Sequence, residues 1–143
     1  MNITFRYATK DDLEAIVNLC NECFEEKTSL EYAKKIYSQK QDYQIYLIGE
    51  LNNKIVAHTL ITIIPTIFNE MNTYSIVNHF CVKEEYRRLG IATYMLEVAT
   101  KISKDNGCKT IKLWSKNFRI PAQACYKKYG FLVEDAKFFY KNI

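Results

Sequence analysis

The stretch Cys81-Val82-Lys83-Glu84-Glu85-Tyr86-Arg87-Arg88-Leu89-Gly90-Ile91-Ala92-Thr93 decides how this chain is read. Ahead of it, the apolar, alternating run Tyr74 to Val82 predicts a strand that gives way to charged residues. Past Gly90, the residues Ile91, Met95, Val98 and Ile102 recur at spacings of four, three and four, with Thr93, Glu97, Lys101 and Lys104 left for solvent. That spacing predicts an amphipathic helix, closed by Asn106-Gly107. The first turn of such a helix carries N–H groups without intrahelical partners and the positive end of the macrodipole, and Arg87 and Arg88 stand just before it. A helix end of this kind binds anions, phosphates above all. Gly90 removes a side chain where main chain must approach a ligand, and Ala92 keeps the next contact position small.

Arg87-x-x-Gly90-x-Ala92 after a strand resembles the acetyl-coenzyme-A signature (Q/R-x-x-G-x-G/A) of the GNAT superfamily of N-acetyltransferases. A second stretch, Arg119-x-x-Ala122-x-x-x-Tyr126-x-Lys128-x-Gly130-Phe131, is similar to the N-x-x-A-x-x-x-Y-x-K-x-G-F pattern of many members. Arg119 stands where asparagine is common, and Asn117 lies two residues early.

The resemblance implies acetyl-CoA as co-substrate, no metal, and a primary amine, small molecule or peptide, as acceptor. It assigns the pyrophosphate to Arg87, Arg88, Leu89, Gly90, Ile91, Ala92 and Thr93, and pantetheine to the backbone of Phe80, Cys81 and Val82. Asn117 is the candidate for the displaced asparagine's contact. Tyr126 resembles the tyrosine that serves as general acid toward the coenzyme A sulfur. A phenol, with reference pKa of about 10, is protonated at neutral pH and donates; packing in the core is the competing role for Tyr126.

An alkylammonium, of pKa about 10.4, must lose a proton before it attacks a thioester. In several family members a carboxylate stands where this chain has Asn78, four residues before Val82. An amide orients a water but does not take a proton, so Asn78 is expected to position. Strand alternation places His79 on the opposite face from Asn78, as a satisfied core histidine. Ordered water, Glu22 or Glu26, and bulk solvent remain as routes for the proton.

In chain order, a short strand from Ile3 to Tyr7 leads to Thr9 as N-cap, and Leu13, Ile16, Val17, Leu19, Cys20 and Cys23 give the first helix an apolar face. Ser29 caps a second helix, Leu30 to Ser38, after the acidic and aromatic joint Phe24 to Thr28. Strands at Gln44 to Leu51 and Lys54 to Ile64 are joined by Asn52-Asn53, which tolerate positive φ in a tight hairpin. Beyond the central helix come a strand at Thr110 to Ser115, a helix from about Ile120 to Tyr129 with Pro121 in its first turn and Gly130 at its end, and a strand from Phe131 to Tyr140. The order β-α-α-β-β-β-α-β-α-β matches the GNAT fold, a twisted mixed α/β sheet with helices on both faces.

The 143 residues, with four Gly and two Pro and no linker-like tract, point to a single domain, 1–143. Met1 to Arg6 has neither a basic leader nor a long apolar core, and the apolar run Ile55 to Phe68 is interrupted by His58 and Pro65, so no signal peptide or membrane span is expected and a cytoplasmic location follows. The five cysteines suit reduced, buried thiols; in sequence, no second pair or nearby histidine completes Cys20-x-x-Cys23 into a zinc set.

Charge is polarised. Residues 1 to 100 carry ten basic and thirteen acidic side chains, residues 101 to 143 ten basic and three acidic. A basic half attracts a polyanionic cofactor and an acidic lip around residues 11 to 31 a cationic amine. The scattered lysines form no reading helix or aromatic platform, so nucleic acid is not an expected partner. A non-catalytic acyl-CoA sensor or partner-binding module, favoured by Asn78, is the alternative to the enzyme. The aromatic run Phe138-Phe139-Tyr140 leaves monomer and homodimer both open.

Overall fold

The computed structural model describes residues 2–143. Its five strands, β1 (Thr4–Tyr7), β2 (Gln44–Leu51), β3 (Lys54–Ile64), β4 (Tyr74–Val82) and β5 (Thr110–Lys112), lie side by side in chain order. The first four pair antiparallel; β5 joins β4 in parallel, since α3 (Ile91–Asp105) carries the chain back before it enters. The other helices are α1 (Leu13–Phe24), α2 (Leu30–Tyr37) and α4 (Ile120–Tyr129). No helix among the described residues is long and apolar enough to cross a membrane.

The sheet is buried on both faces. Ile45, Leu47 and Leu51 of β2 pack with Met95, Ala99 and Ile102 of α3, whereas Ile48 of the same strand meets Ile16, Leu19 and Cys20 of α1. Double burial is why β2 and β3 read as apolar runs rather than as clean alternation. Ile48 and Met95 are wholly buried, each side chain contributing about 1.5–3 kcal/mol.

Local chemistry sets the joints. Asn52 and Asn53, at φ 51° and 62°, make the tight turn that brings Lys54 opposite Leu51. At the entry to α1, the Asp12 carboxylate accepts the Thr9 N–H (2.7 Å) and two bonds from Arg6 (both 2.9 Å). Arg6 also reaches Glu50 (3.0 Å), so one guanidinium ties β1 to the α1 entry and to β2.

The end of the chain departs from the expected order. No strand forms over Phe131 to Tyr140: residues 131–143 have no ladder partner among the described residues, and Leu132, Val133, Phe139 and Tyr140 are exposed. A strand exists by pairing, and β5, which would flank it, is three residues long and stops at Lys112 rather than Ser115. Trp114 and Phe138 meet with ring centroids 5.7 Å apart, an aromatic contact in place of a ladder.

Candidate active site

The site is organised by an irregularity in β4. Leu60 pairs with Asn78 and His58 with Cys81, so two residues of β4, His79 and Phe80, stand opposite the single Thr59 of β3. This is a β-bulge, and His79 takes φ 47° to make it. The freed carbonyls are held from β3: Thr59 Oγ1 donates to Asn78 O (3.0 Å) and His58 Nδ1 to His79 O (3.1 Å). The bulge overturns the reading of His79 as a core residue on the far face from Asn78, because alternation holds only in a regular strand. Both side chains are exposed.

His79 instead meets a partner from the joint between α1 and α2. Its Nε2 lies 2.9 Å from Glu26 Oε1, and its ring stands edge-on to Phe24 at 5.0 Å. The joint is shaped without glycine: Glu25 ends α1 at φ 53°, Glu26 N–H bonds to Asn21 O (3.1 Å), and the Asn21 amide clasps Thr28 at both its N–H and its carbonyl (3.0 Å each). A carboxylate only accepts, so Nε2 carries the shared proton and Nδ1 is the basic nitrogen of His79. Glu26 and His79 border a cavity of about 220 Å³ between α1, α2 and the sheet, with Asn21, Tyr46, His58 and Leu60 also in its wall.

On the other side of β4, pairing with β5 covers only Tyr74 to Ile76. From Val77 to Val82 that edge carries no β5 ladder, and it runs to the start of α3. There Arg88 and Gly90 take φ 64° and 82°, Gly90 caps α3 with no side-chain bond, and a Cβ at Gly90 would meet nothing within 4 Å. The first helical bond is Tyr94 N–H to Gly90 O (3.1 Å), which leaves the amides of Ile91, Ala92 and Thr93 outside the helical ladder. Left-handed residues alternating with ordinary ones ahead of a helix turn successive amides inward as an anion nest, so this corner fits a phosphate. Arg87 is committed elsewhere: its Nε donates to Val82 O (2.9 Å) and its Nη2 reaches Cys23 Sγ (3.8 Å), bracing the end of the strand.

Tyr126 stands edge-on to Phe80, ring centroids 5.6 Å apart, facing the unpaired part of β4. Burial, reinforced by Cys125 and Cys81 against the opposing pull of Arg119, pushes its phenol up to about 12, so it remains a donor throughout the neutral range. Asn117 is exposed in the turn before α4. Arg119, which departs from the family's asparagine, lies 5.0 Å from the rings of both Phe24 and Phe118 and so sits one ring away from His79.

Folding brings Cys20, without Cys23, to a histidine and a second cysteine. Cys20, His58 and Cys81 each place one ligating atom within 4.8 Å of the others, with Cys20 Sγ 3.6 Å from His58 Nδ1. The neighbouring thiols Cys20 and Cys23, together with burial, push the Cys81 thiol up, so it stays protonated. Cys81, aided by Arg87 and opposed by burial, lowers Cys23 to about 7. All five cysteines are free.

The sequence pointed to the helix end, the β4 edge and Tyr126. Glu26 stands among its candidate routes for the proton, but it missed the pairing of Glu26 with His79, a histidine beside the expected positioning residue.

A model of the acetyltransferase (GNAT) family matches residues 13–131. The chain is 28% identical to the β-lysine N(6)-acetyltransferase of Methanococcus maripaludis over 93% of its own length, and spans 57% of that relative. Two solved structures share the fold. A predicted acetyltransferase from Clostridium acetobutylicum, solved with acetyl-CoA, superposes with a TM-score of 0.79 at 23% identity, over 98% of this chain and 96% of that one. An aminoglycoside acetyltransferase from an uncultured soil metagenomic sample, in complex with sisomicin, gives 0.83 at 15% identity, over 99% and 96%. The matched residues run from the first residue of α1 through the bulged strand and the α3 corner to Phe131 beyond α4, and the chain belongs to the acetyltransferase (GNAT) family.

Proposed function

We propose that this chain transfers the acetyl group of acetyl-CoA to a primary amine by direct attack in a ternary complex, with His79 as the base. Acetyl-CoA supplies the activated acyl group. The observation that carries the reading is the His79–Glu26 pair at the cavity wall, on the same bulged strand whose other edge carries no β5 ladder from Val77 to Val82. An amine entering as ammonium gives its proton to His79 Nδ1, and Glu26 holds the imidazole and balances the charge it gains. The base that Asn78 does not provide is thereby present, which weighs against a sensor without catalysis.

The remaining residues fall into place around this pair. Backbone groups of Phe80, Cys81 and Val82 line the edge offered to pantetheine, and the amides from Arg88 to Thr93 take the pyrophosphate. Arg87 positions the corner through Val82 O rather than gripping phosphate itself. Tyr126 keeps its proton near neutrality and donates it to the departing sulfur. Asn78 orients water beside the amine, and Asn117 serves the coenzyme from the turn before α4. Residues 1–143 act as one catalytic unit.

The test is release of free thiol from acetyl-CoA in the presence of a panel of primary amines, with His79→Ala as the control. Turnover that drops on the order of 100-fold in the variant supports the assignment. A wild-type chain that binds acetyl-CoA yet releases no thiol with any amine would sink it.

A further inference from the structure

The cavity beside His79 has a definite chemical character. Leu13, Ile16 and Val17 come from α1, Ala33 and Ile36 from α2, and Leu60 from β3. Tyr32, Tyr37 and Tyr46 add three aromatic walls. Among the lining residues Glu26 is the one carboxylate, it is already bonded to His79, and none is Lys or Arg.

The polar atoms of these walls are mostly turned to other tasks. Tyr37 Oη donates to Ala8 O (3.1 Å), and burial raises the Tyr46 phenol and keeps it neutral. His58 Nδ1 lies 3.1 Å from the His79 carbonyl and 3.6 Å from Cys20 Sγ, and its Nε2 is buried without a partner among the described residues.

We infer that the acceptor is a primary monoamine with an apolar or aryl body, its ammonium at the His79–Glu26 end and its hydrocarbon part between α1, α2 and the sheet. This deepens the acetyl-transfer reading above and rests on it. Two physical arguments select the class. A second ammonium, or the carboxylate of an amino acid, would give up water for a wall made mainly by Leu13, Ile16, Val17, Ala33, Ile36 and Leu60, with no Lys or Arg and with Glu26 already bonded to His79. Size points the same way: an apolar cavity of about 150 Å³ holds one benzene, so the roughly 220 Å³ here takes one ring with a short chain, and the several rings of an aminoglycoside would extend past it.

The decisive experiment compares kcat/KM for 2-phenylethylamine and hexylamine with that for lysine, β-lysine and sisomicin, using the full chain and saturating acetyl-CoA. The monoamines should lead by on the order of 100-fold. Preference for lysine, β-lysine or sisomicin overturns the acceptor class and leaves acetyl transfer standing. Silence with every amine overturns both. A second arm uses Ala33→Glu, which keeps a good helix former on α2 while placing a charge in the apolar wall. It should raise KM for 2-phenylethylamine about tenfold with the KM for acetyl-CoA unchanged; an unchanged amine KM in a folded variant also overturns the inference.

Discussion

Glu26 Oε1 sits 2.9 Å from His79 Nε2, joining the bend after α1 to the bulge of β4 across 53 positions of sequence. Both side chains are partly open to solvent, 38% and 46% exposed, so the pair can exchange protons with bulk water between turnovers. Glu26→Gln keeps the shape of the contact and removes the charge that stabilises an imidazolium. It should lower kcat about tenfold while His79→Ala lowers it about 100-fold, with circular dichroism unchanged in both. Equal, near-wild-type rates in the two variants would show that the proton leaves by another route.

Gly90 takes φ 82° at the anion corner and Gly107 takes φ 81° beyond the other end of α3, each with open space where a Cβ would go. The two therefore separate backbone strain from loss of a site. Gly90→Val and Gly107→Val should cost similar stability, about 1–3 kcal/mol. Only Gly90→Val should weaken acetyl-CoA, by at least about tenfold in calorimetry. Parallel losses of affinity in both would place the coenzyme elsewhere.

Tyr126 packs on Phe80, and its phenol is raised to about 12, chiefly by burial. Tyr126→Phe keeps the ring contact and deletes the proton donor. Thermal stability should stay near wild type while kcat falls about tenfold or more, and the wild-type rate should show no loss from phenol ionisation until pH approaches 12. A variant with full kcat would make Tyr126 a packing residue.

Cys23 is half-buried, and the neighbouring Cys81 thiol, with help from Arg87, lowers its thiol to about 7. A lowered thiol pKa means more thiolate at a given pH, so alkylation by iodoacetamide should climb through about pH 7 rather than the ordinary thiol value of about 8.5. Arg87→Ala should move that midpoint upward. Mass spectrometry of the labelled peptide reads both; a midpoint at the ordinary value would mean that Cys81 and Arg87 do not act on this thiol in solution.

Asp12 is held below its ordinary carboxyl range, first by Arg6 and then by the Thr9 N–H, against the opposing effect of burial. A depressed folded-state pKa contributes stability above the unfolded value, near 3.8, and loses it as pH falls through the folded one. Asp12→Asn should therefore cost about 2 kcal/mol in urea unfolding near neutral pH. The gap from wild type should narrow as the pH is taken well below about 4. A gap that does not change with pH would remove the charge from the account.

Where a residue's role depends on its near neighbours, sequence was enough. Ile91, Met95 and Ile102 mark the buried face of α3 by spacing alone, Asn52-Asn53 announces the hairpin, and Gly90 announces the left-handed residue that opens α3. These signals lie within a few residues of the structure they specify, because helix periodicity and turn conformation are local properties of the backbone.

Contacts between distant segments were decided only in three dimensions. Alternation cannot reveal that β4 carries one residue more than β3 between two pairs, so by itself it places His79 on the wrong face, away from Glu26. Cys20, His58 and Cys81 converge from α1, β3 and β4. Phe131 to Tyr140 has the composition of a strand and no ladder partner among the described residues, and backbone hydrogen bonds require a partner that sequence spacing does not supply.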